Sequence, residues 1–210
     1  MQGRRDRVRA LPTPSERDLA TRCRRGDRAA QAEFFRELSP VVERLLGRMV
    51  GGAPVLEDLV QTTFLEAIKS FPRYRGEASL ATWVSRIAVH VAHHHFRTKK
   101  RRPAALEAIG PDEEPLAHQP SPSVEVDRRR IARRLLSVLD RLTAKKRIAF
   151  VLHALEGYTV DEVAALMGAG RAATRSRLWF ARREIDAHIA ADPWLRTVAR
   201  DLAGSFGEEP

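Results

Sequence analysis

The 210-residue chain has a single cysteine, Cys23, so it can form no internal disulfide, and one thiolate alone cannot make a zinc site. Long apolar runs are also missing. The longest, Ile148 to Leu155, is interrupted by His153 and falls far short of the roughly 20 residues that cross a bilayer, so no membrane insertion is expected. The first residues, MQGRRDRVRALPTPSERD, lack the apolar stretch of about 7–15 residues of a secretory signal, which predicts a cytoplasmic protein. Apolar/polar alternation of period two is nowhere sustained, which excludes a sheet protein and leaves an all-α one. What is abundant is positive charge. Lys and Arg number 37 against 27 Asp and Glu, a formal +10 with a pI near 10.8, which points to an anionic partner such as a nucleic-acid backbone. At 43% hydrophobic and 30% charged, the composition suits a chain that buries cores.

The length suits two units of about 100 residues. Residues 103–126 separate them, holding five of the 12 prolines and five acidic residues with no Lys or Arg. Proline fixes φ and removes a backbone donor, so this segment reads as a flexible, acidic, Pro-rich linker. The expected organisation is a flexible tail (1–14), a helical domain (15–102), the linker (103–126), a second helical domain (127–190) and an extension (191–210). In that extension Trp194, Leu195, Val198 and Leu202 form a short amphipathic stretch.

In the first domain Ser15 is a candidate cap for a helix carrying Leu19 and Cys23, and Asp27 caps the next, both short. Apolar positions then repeat at helical spacing around Ser39 and Pro40 from Phe34 to Met49. A further helix over about 55–70 carries Leu56, Leu59, Val60, Phe64 and Ile68, and Pro72 stops it. After the loop PRYRGEA, Ser79 caps a helix with the stripe Leu80, Trp83, Val84, Ile87 and Val91. Beyond the linker, Ile131, Leu135, Val138, Leu139 and Leu142 form one stripe, and Thr143 caps a helix running to Gly157. Thr159 with Glu162 makes a capping box for a helix over 160–167, Gly168 ends it, and a longer helix covers about 171–189. A short helix, a glycine turn and a longer helix form a helix-turn-helix, whose second helix enters a DNA major groove. Its first turns carry Arg171, Ala172, Arg175, Ser176 and Arg177: arginine suits bidentate contact with guanine, and alanine suits contact with a thymine methyl.

A second cationic stripe, Arg86, His90, His93, Arg97 and Lys100 or Arg101, lies on the face opposite Leu80, Val84 and Ile87. It merges into the cationic run RTKKRR at 97–102. His90 and His94 have the spacing of two metal ligands, but no third ligand accompanies them and Val91 replaces the glutamate of HExxH, so no metal or cofactor is expected. Aromatic rings near this helix are either stacking faces for unpaired bases or core. Trp83 falls on the apolar stripe, and Tyr74, between Arg73 and Arg75, fits either role.

EDLVQTTFLEAIKSFPRYRGEASLATWVSRIA, residues 57–88, resembles the second conserved region of bacterial sigma factors of the extracytoplasmic-function group. LDRLTAKKRIAFVLHALEGYTVDEVAALMG, residues 139–168, and RSRLWFARREI, 175–185, resemble their fourth region. The resemblance implies a subunit without a catalytic centre that binds core RNA polymerase, directs it to promoters and helps open the strands. It implies polymerase docking through Asp58 and Gln61 and capture of a flipped base by the loop 71–79, with Tyr74, Arg75 and Trp83. It further implies minus-ten contacts from Arg86, His90 and Arg97, members of the cationic stripe that His93 and Lys100 share as candidate DNA contacts, and minus-thirty-five contacts from residues 171–177. The linker would pass toward the RNA exit path, and an anti-sigma protein would be a partner. His90 and His94 stand where the family typically has Asn and Asp, and AGRAATRS at 169–176 lacks the usual Ile, Ser and Val. Two other readings are a stand-alone helix-turn-helix regulator, which would need a dimerisation helix that the sequence does not show, and a metal enzyme built on the histidines.

Overall fold

The computed structural model describes residues 11–51, 53–99 and 124–198, and every described element is helical. Helix α1 (Pro14–Arg24) begins two residues earlier than the Ser15 cap predicts. The Thr13 hydroxyl accepts from the Glu16 N–H at 3.2 Å, and the Glu16 carboxylate accepts from the Thr13 N–H at 2.8 Å. With Pro14 at the first helical position, where no N–H is needed, Thr13 is the better cap.

Asp27 caps α2 (Arg28–Val50) as expected, accepting from Ala29 and Ala30 at 2.9 and 3.2 Å. This helix is not short. It runs 23 residues straight through Pro40, because Phe34 on one side of the proline and Val42, Leu45, Leu46 and Met49 on the other are buried in one core. Such packing outweighs the roughly 3 kcal/mol that an internal proline costs. Helix α3 (Ala53–Ser70) gives way to a 3-10 turn at Phe71–Arg73, where Pro72 ends it. Helix α4 (Leu80–Lys99) follows, with Ser79 accepting from the Thr82 N–H at 3.2 Å. Helices α2, α3 and α4 pack on one another, and α1 closes the bundle against α2. At its centre Phe34 lies edge-on to Phe64 and Phe71, with ring centroids 5.6 and 5.0 Å away.

The second unit comprises α5 (Val124–Asp140), α6 (Ala144–Phe150) running into a π-helical turn at Val151–Leu155, α7 (Val160–Leu166) and α8 (Arg171–Ala191). Helix α5 starts inside the segment read as linker, and the remainder of that segment, 103–123, lies outside the described residues. Ile148, Val151, Leu152, Val163, Ala181 and Ile185 form the core beneath α8. The start of the extension folds back. Asp192 caps a helical turn over 193–198, accepting from Trp194 and Leu195, and Leu195 is buried.

Sequence reading predicts two units separated by a tether, but in the structure they touch, because α4 packs against α6 and α7 and the apolar cluster is continuous across them. Replacing the central ring by Phe34→Ala is expected to lower the first bundle's unfolding free energy by about 3–5 kcal/mol in urea titrations followed by helical circular dichroism. A change under about 1 kcal/mol would show that this aromatic cluster does not hold the bundle.

Candidate nucleic-acid interface

The loop between the 3-10 turn and α4 is held from below by α1. Arg24 donates to the Tyr74 carbonyl at 2.6 Å and to that of Phe71 at 3.4 Å, and Glu16 accepts from the first N–H of α4, at Leu80, at 3.0 Å. Gly76, with φ of +72°, supplies the left-handed turn that reverses the chain. Tyr74 is core in this arrangement. It is 5% exposed, its hydroxyl donates to the Ala78 carbonyl at 2.6 Å, and its ring centroid lies 4.9 Å from that of Trp83, so it projects no free stacking face. Trp83 is half-buried and packs on Phe71 as well, whereas Arg75 is exposed. Arg73, Tyr74, Arg75, Trp83 and Arg86 line a small cavity of about 330 Å³.

Along α4, Arg86, His90 and Arg97 are exposed, as the helical spacing predicts, and Lys100 lies outside the described residues. His93 is half-buried. Burial, reinforced by Lys145, Arg97, His90 and Arg177, pushes its imidazole below the usual histidine range. His94 is exposed, and the His95 ring lies edge-on to Phe96 at 5.6 Å. Among the described residues no three of His, Cys, Asp and Glu gather as a metal-binding set.

In the helix-turn-helix, the Thr159 hydroxyl accepts from the Glu162 N–H at 3.3 Å while the Glu162 carboxylate accepts from the Thr159 N–H at 2.8 Å. Gly168, with φ of +58°, turns the chain into α8. Thr174, a polar residue where apolar packing is expected, is fully buried and satisfied by donating to the Gly170 carbonyl at 3.1 Å. Arg171, Ala172, Arg175 and Ser176 are exposed on one outward surface, Arg171 pairing with Asp161 at 3.1 Å. Arg177 is half-buried and faces α4 across a cleft of about 550 Å³, which Arg86, His90, His93 and Lys145 also line.

Sequence reading missed Trp179. It lies on the same outward surface, one turn beyond Arg175 and Ser176, is 54% exposed and has the Arg183 guanidinium 4.8 Å from its ring centroid. An aromatic residue at an outward helical position was the available signal. On α3, Asp58 and Gln61 are exposed, three residues apart and so on one face of the helix. Gln61 borders an apolar groove of about 670 Å³ between α2 and α3, floored by Leu56 and Val60 and walled by Phe35. Phe35 is 46% exposed, so this ring, which follows the core periodicity, belongs to a surface that the periodicity does not reveal.

Residues 34–102 match the family Sigma-70 region 2, and residues 132–185 match Sigma-70, region 4. Among curated proteins, the RNA polymerase sigma-H factor of Pseudomonas aeruginosa is 28% identical over 192 residues, covering 89% of this chain and 98% of its own. The RNA polymerase sigma factor CarQ of Myxococcus xanthus is 31% identical over 156 residues, 74% of this chain and 87% of its own. Among solved structures, CnrH in complex with the cytosolic domain of CnrY is similar with a TM-score of 0.59 at 22% identity, over 85% of this chain and 99% of that one. The sigma factor RpoE of Bartonella quintana, in complex with the anti-sigma factor NepR, gives 0.54 at 20% identity, over 77% and 97%. These two share the fold.

The His93 environment sets a sign for pH. A depressed imidazole is neutral where it packs, so the packed arrangement loses stability as pH falls from about 6.5, the free-imidazole value, through the lowered one, and is unaffected above that window. An NMR titration of the imidazole carbons should place the His93 midpoint below about 6.5, and Lys145→Gln should move it upward. A midpoint at or above that value, insensitive to the substitution, would contradict the packing described.

Proposed function

Because the chain belongs to the extracytoplasmic-function group of sigma-70 factors, which direct promoter-specific initiation by RNA polymerase, we propose that it reads promoters through two separate helical surfaces while docked on the core enzyme. The observation that carries this reading is the pair of cationic helix faces, on α4 and on α8, each backed by buried apolar residues of its own unit.

On α4, Arg86, His90 and Arg97 track the phosphates of the minus-ten element, and the cavity beside Arg75 and Trp83 takes a base turned out of the stack. Strand opening follows from that capture, since an unstacked base held on the protein is withdrawn from the duplex. On α8, Arg175, Ser176, Arg177 and Ala172 meet base edges of the minus-thirty-five element, and Arg171 approaches the backbone from the turn. Asp58 and Gln61, with the exposed apolar surface around Phe35, dock on core polymerase. The related CnrH and RpoE were solved with CnrY and with the anti-sigma factor NepR, which supports a regulator of the same kind for this chain.

Run-off transcription with bacterial core polymerase and a pool of genomic promoter fragments tests the reading. Discrete transcripts should require this chain and weaken with Asp58→Ala/Gln61→Ala. Arg175→Ala should lose about 1–3 kcal/mol of discrimination at one upstream base position, whereas Arg97→Ala should weaken all sequences alike and lower the salt slope by about 1. Transcripts absent altogether, with duplex binding that needs no polymerase, would instead establish a stand-alone regulator.

A further inference from the structure

Four of the chain's 7 histidines fall close together on α4, at positions 90, 93, 94 and 95. They do not share one environment. His93 is half-buried and lines a cleft with Lys145 of α6 and Arg177 of α8. His90, His94 and His95 border a different opening, a groove of about 710 Å³ between α3 and α4, and His90 and His94 are exposed. Along the exposed stripe the permanent charges are Arg86 and Arg97, about 16 Å apart at the 1.5 Å rise of a helix. His90 and His94 fill that interval at steps of one turn.

The permanent charge of the groove cancels. Among its described lining residues Arg86 is the one arginine or lysine and Glu66 the one carboxylate, and Glu66 also lies 3.5 Å from Lys69 on its own helix. The net charge of the groove is therefore whatever its imidazoles carry. Of the elements around α4, α3 contributes Glu66, α6 Lys145 and α8 Arg177, whereas α2 and α7 bring no charged group to either opening. Leu59 and Val91 give the groove an apolar floor, and Trp83 and Arg86 border both it and the loop cavity beside Arg75. A strand with a base held in that cavity has a continuous path into the groove.

We propose that the groove between α3 and α4 is a proton-dependent seat for a DNA strand: His90 and His94 take up protons as phosphates arrive, so the groove holds the strand more tightly as pH falls. The inference rests on the promoter reading only in taking α4 as a DNA-facing helix. A neutral imidazole offers a phosphate one N–H, whereas the imidazolium offers two and a full charge. A phosphate therefore favours the protonated ring, and by reciprocity the protonated ring favours the phosphate. Imidazole ordinarily gains its proton near pH 6.5, where arginine and carboxylate charges stay constant, so the response belongs to the histidines. His93 acts in the opposite sense, because protonation there opposes packing instead of filling the groove with charge.

Fluorescence anisotropy of the full chain with a rhodamine-labelled, mixed-sequence DNA single strand tests the proposal at about pH 8 and about pH 5.5, on either side of the ordinary imidazole value. The parent chain should tighten at the lower pH by about tenfold for each imidazole whose proton is held about tenfold more firmly beside phosphate. Its salt slope should steepen by about 0.7 for each. His90→Gln/His94→Gln should flatten both responses, His90→Arg/His94→Arg should bind tightly at either pH, and His93→Gln should keep the response. Helical circular dichroism at both pH values confirms that each chain is folded. A parent that does not tighten, a His90→Gln/His94→Gln chain that tightens equally, or no binding at the lower pH overturns the proposal. Run-off transcription that persists without the pH response sinks this inference alone, whereas the response without any transcription sinks the promoter reading alone.

Discussion

Helix α4 can present a row of cations only because its opposite side is locked into the first bundle. Leu80, Val84, Ala88, Val91 and Ala92 are buried against α2 and α3, which fixes the rotation of the helix and so the direction in which Arg86, His90 and Arg97 point. A helix free to roll would not give those residues a common face. The clamp on its N-terminus reinforces this, since Glu16 of α1 accepts from the Leu80 N–H and Arg24 holds the preceding loop by its carbonyls. Two residues of the first helix thus position the loop and α4 together, although neither has a place in the cationic surface itself.

Where the carboxylates lie matters as much as where the cations do. Glu16, Asp27, Glu162 and Asp192 are engaged at helix starts, Glu156 is engaged between units, and five acidic residues fall in 103–126. Acidic groups near helix N-termini satisfy backbone donors and complement the helix dipole. That placement leaves the exposed α4 cations Arg86, His90 and Arg97 and the Arg175 turn of α8 with no ion pair described, whereas Arg171 pairs with Asp161 and, further along α8, Arg182 with Asp186. Surface pairs of that kind contribute little, so Arg171 can exchange its partner for a phosphate.

Periodicity and capping are local properties, and the features that depend on them were legible: the Asp27 cap, the stop at Pro72, the Thr159 capping box, the glycine turn and the stripe of α4. Quantities set by tertiary packing were not. Pro40 sits inside α2 because a core built from distant helices holds it there. Tyr74 is buried because Arg24 draws its backbone inward and Trp83 covers its ring, and neither contact leaves a trace in the loop's own composition. Phe35 and Trp179 are exposed at positions where an apolar residue reads as core or passes unnoticed. Within α4, the half-buried His93 lines a cleft with Lys145 and Arg177, more than 50 positions away, whereas helical spacing alone places it among the exposed cations.

The central claim is that one chain reads two stretches of a promoter through two separately supported cationic helices. Hydroxyl-radical footprinting of core polymerase assembled with this chain on a responsive promoter tests it most directly. The account predicts two protected patches, an upstream one lost in Arg175→Ala and a downstream one weakened in Arg86→Ala, each variant leaving the other patch in place. A single patch, or two patches that rise and fall together in both variants, would contradict it.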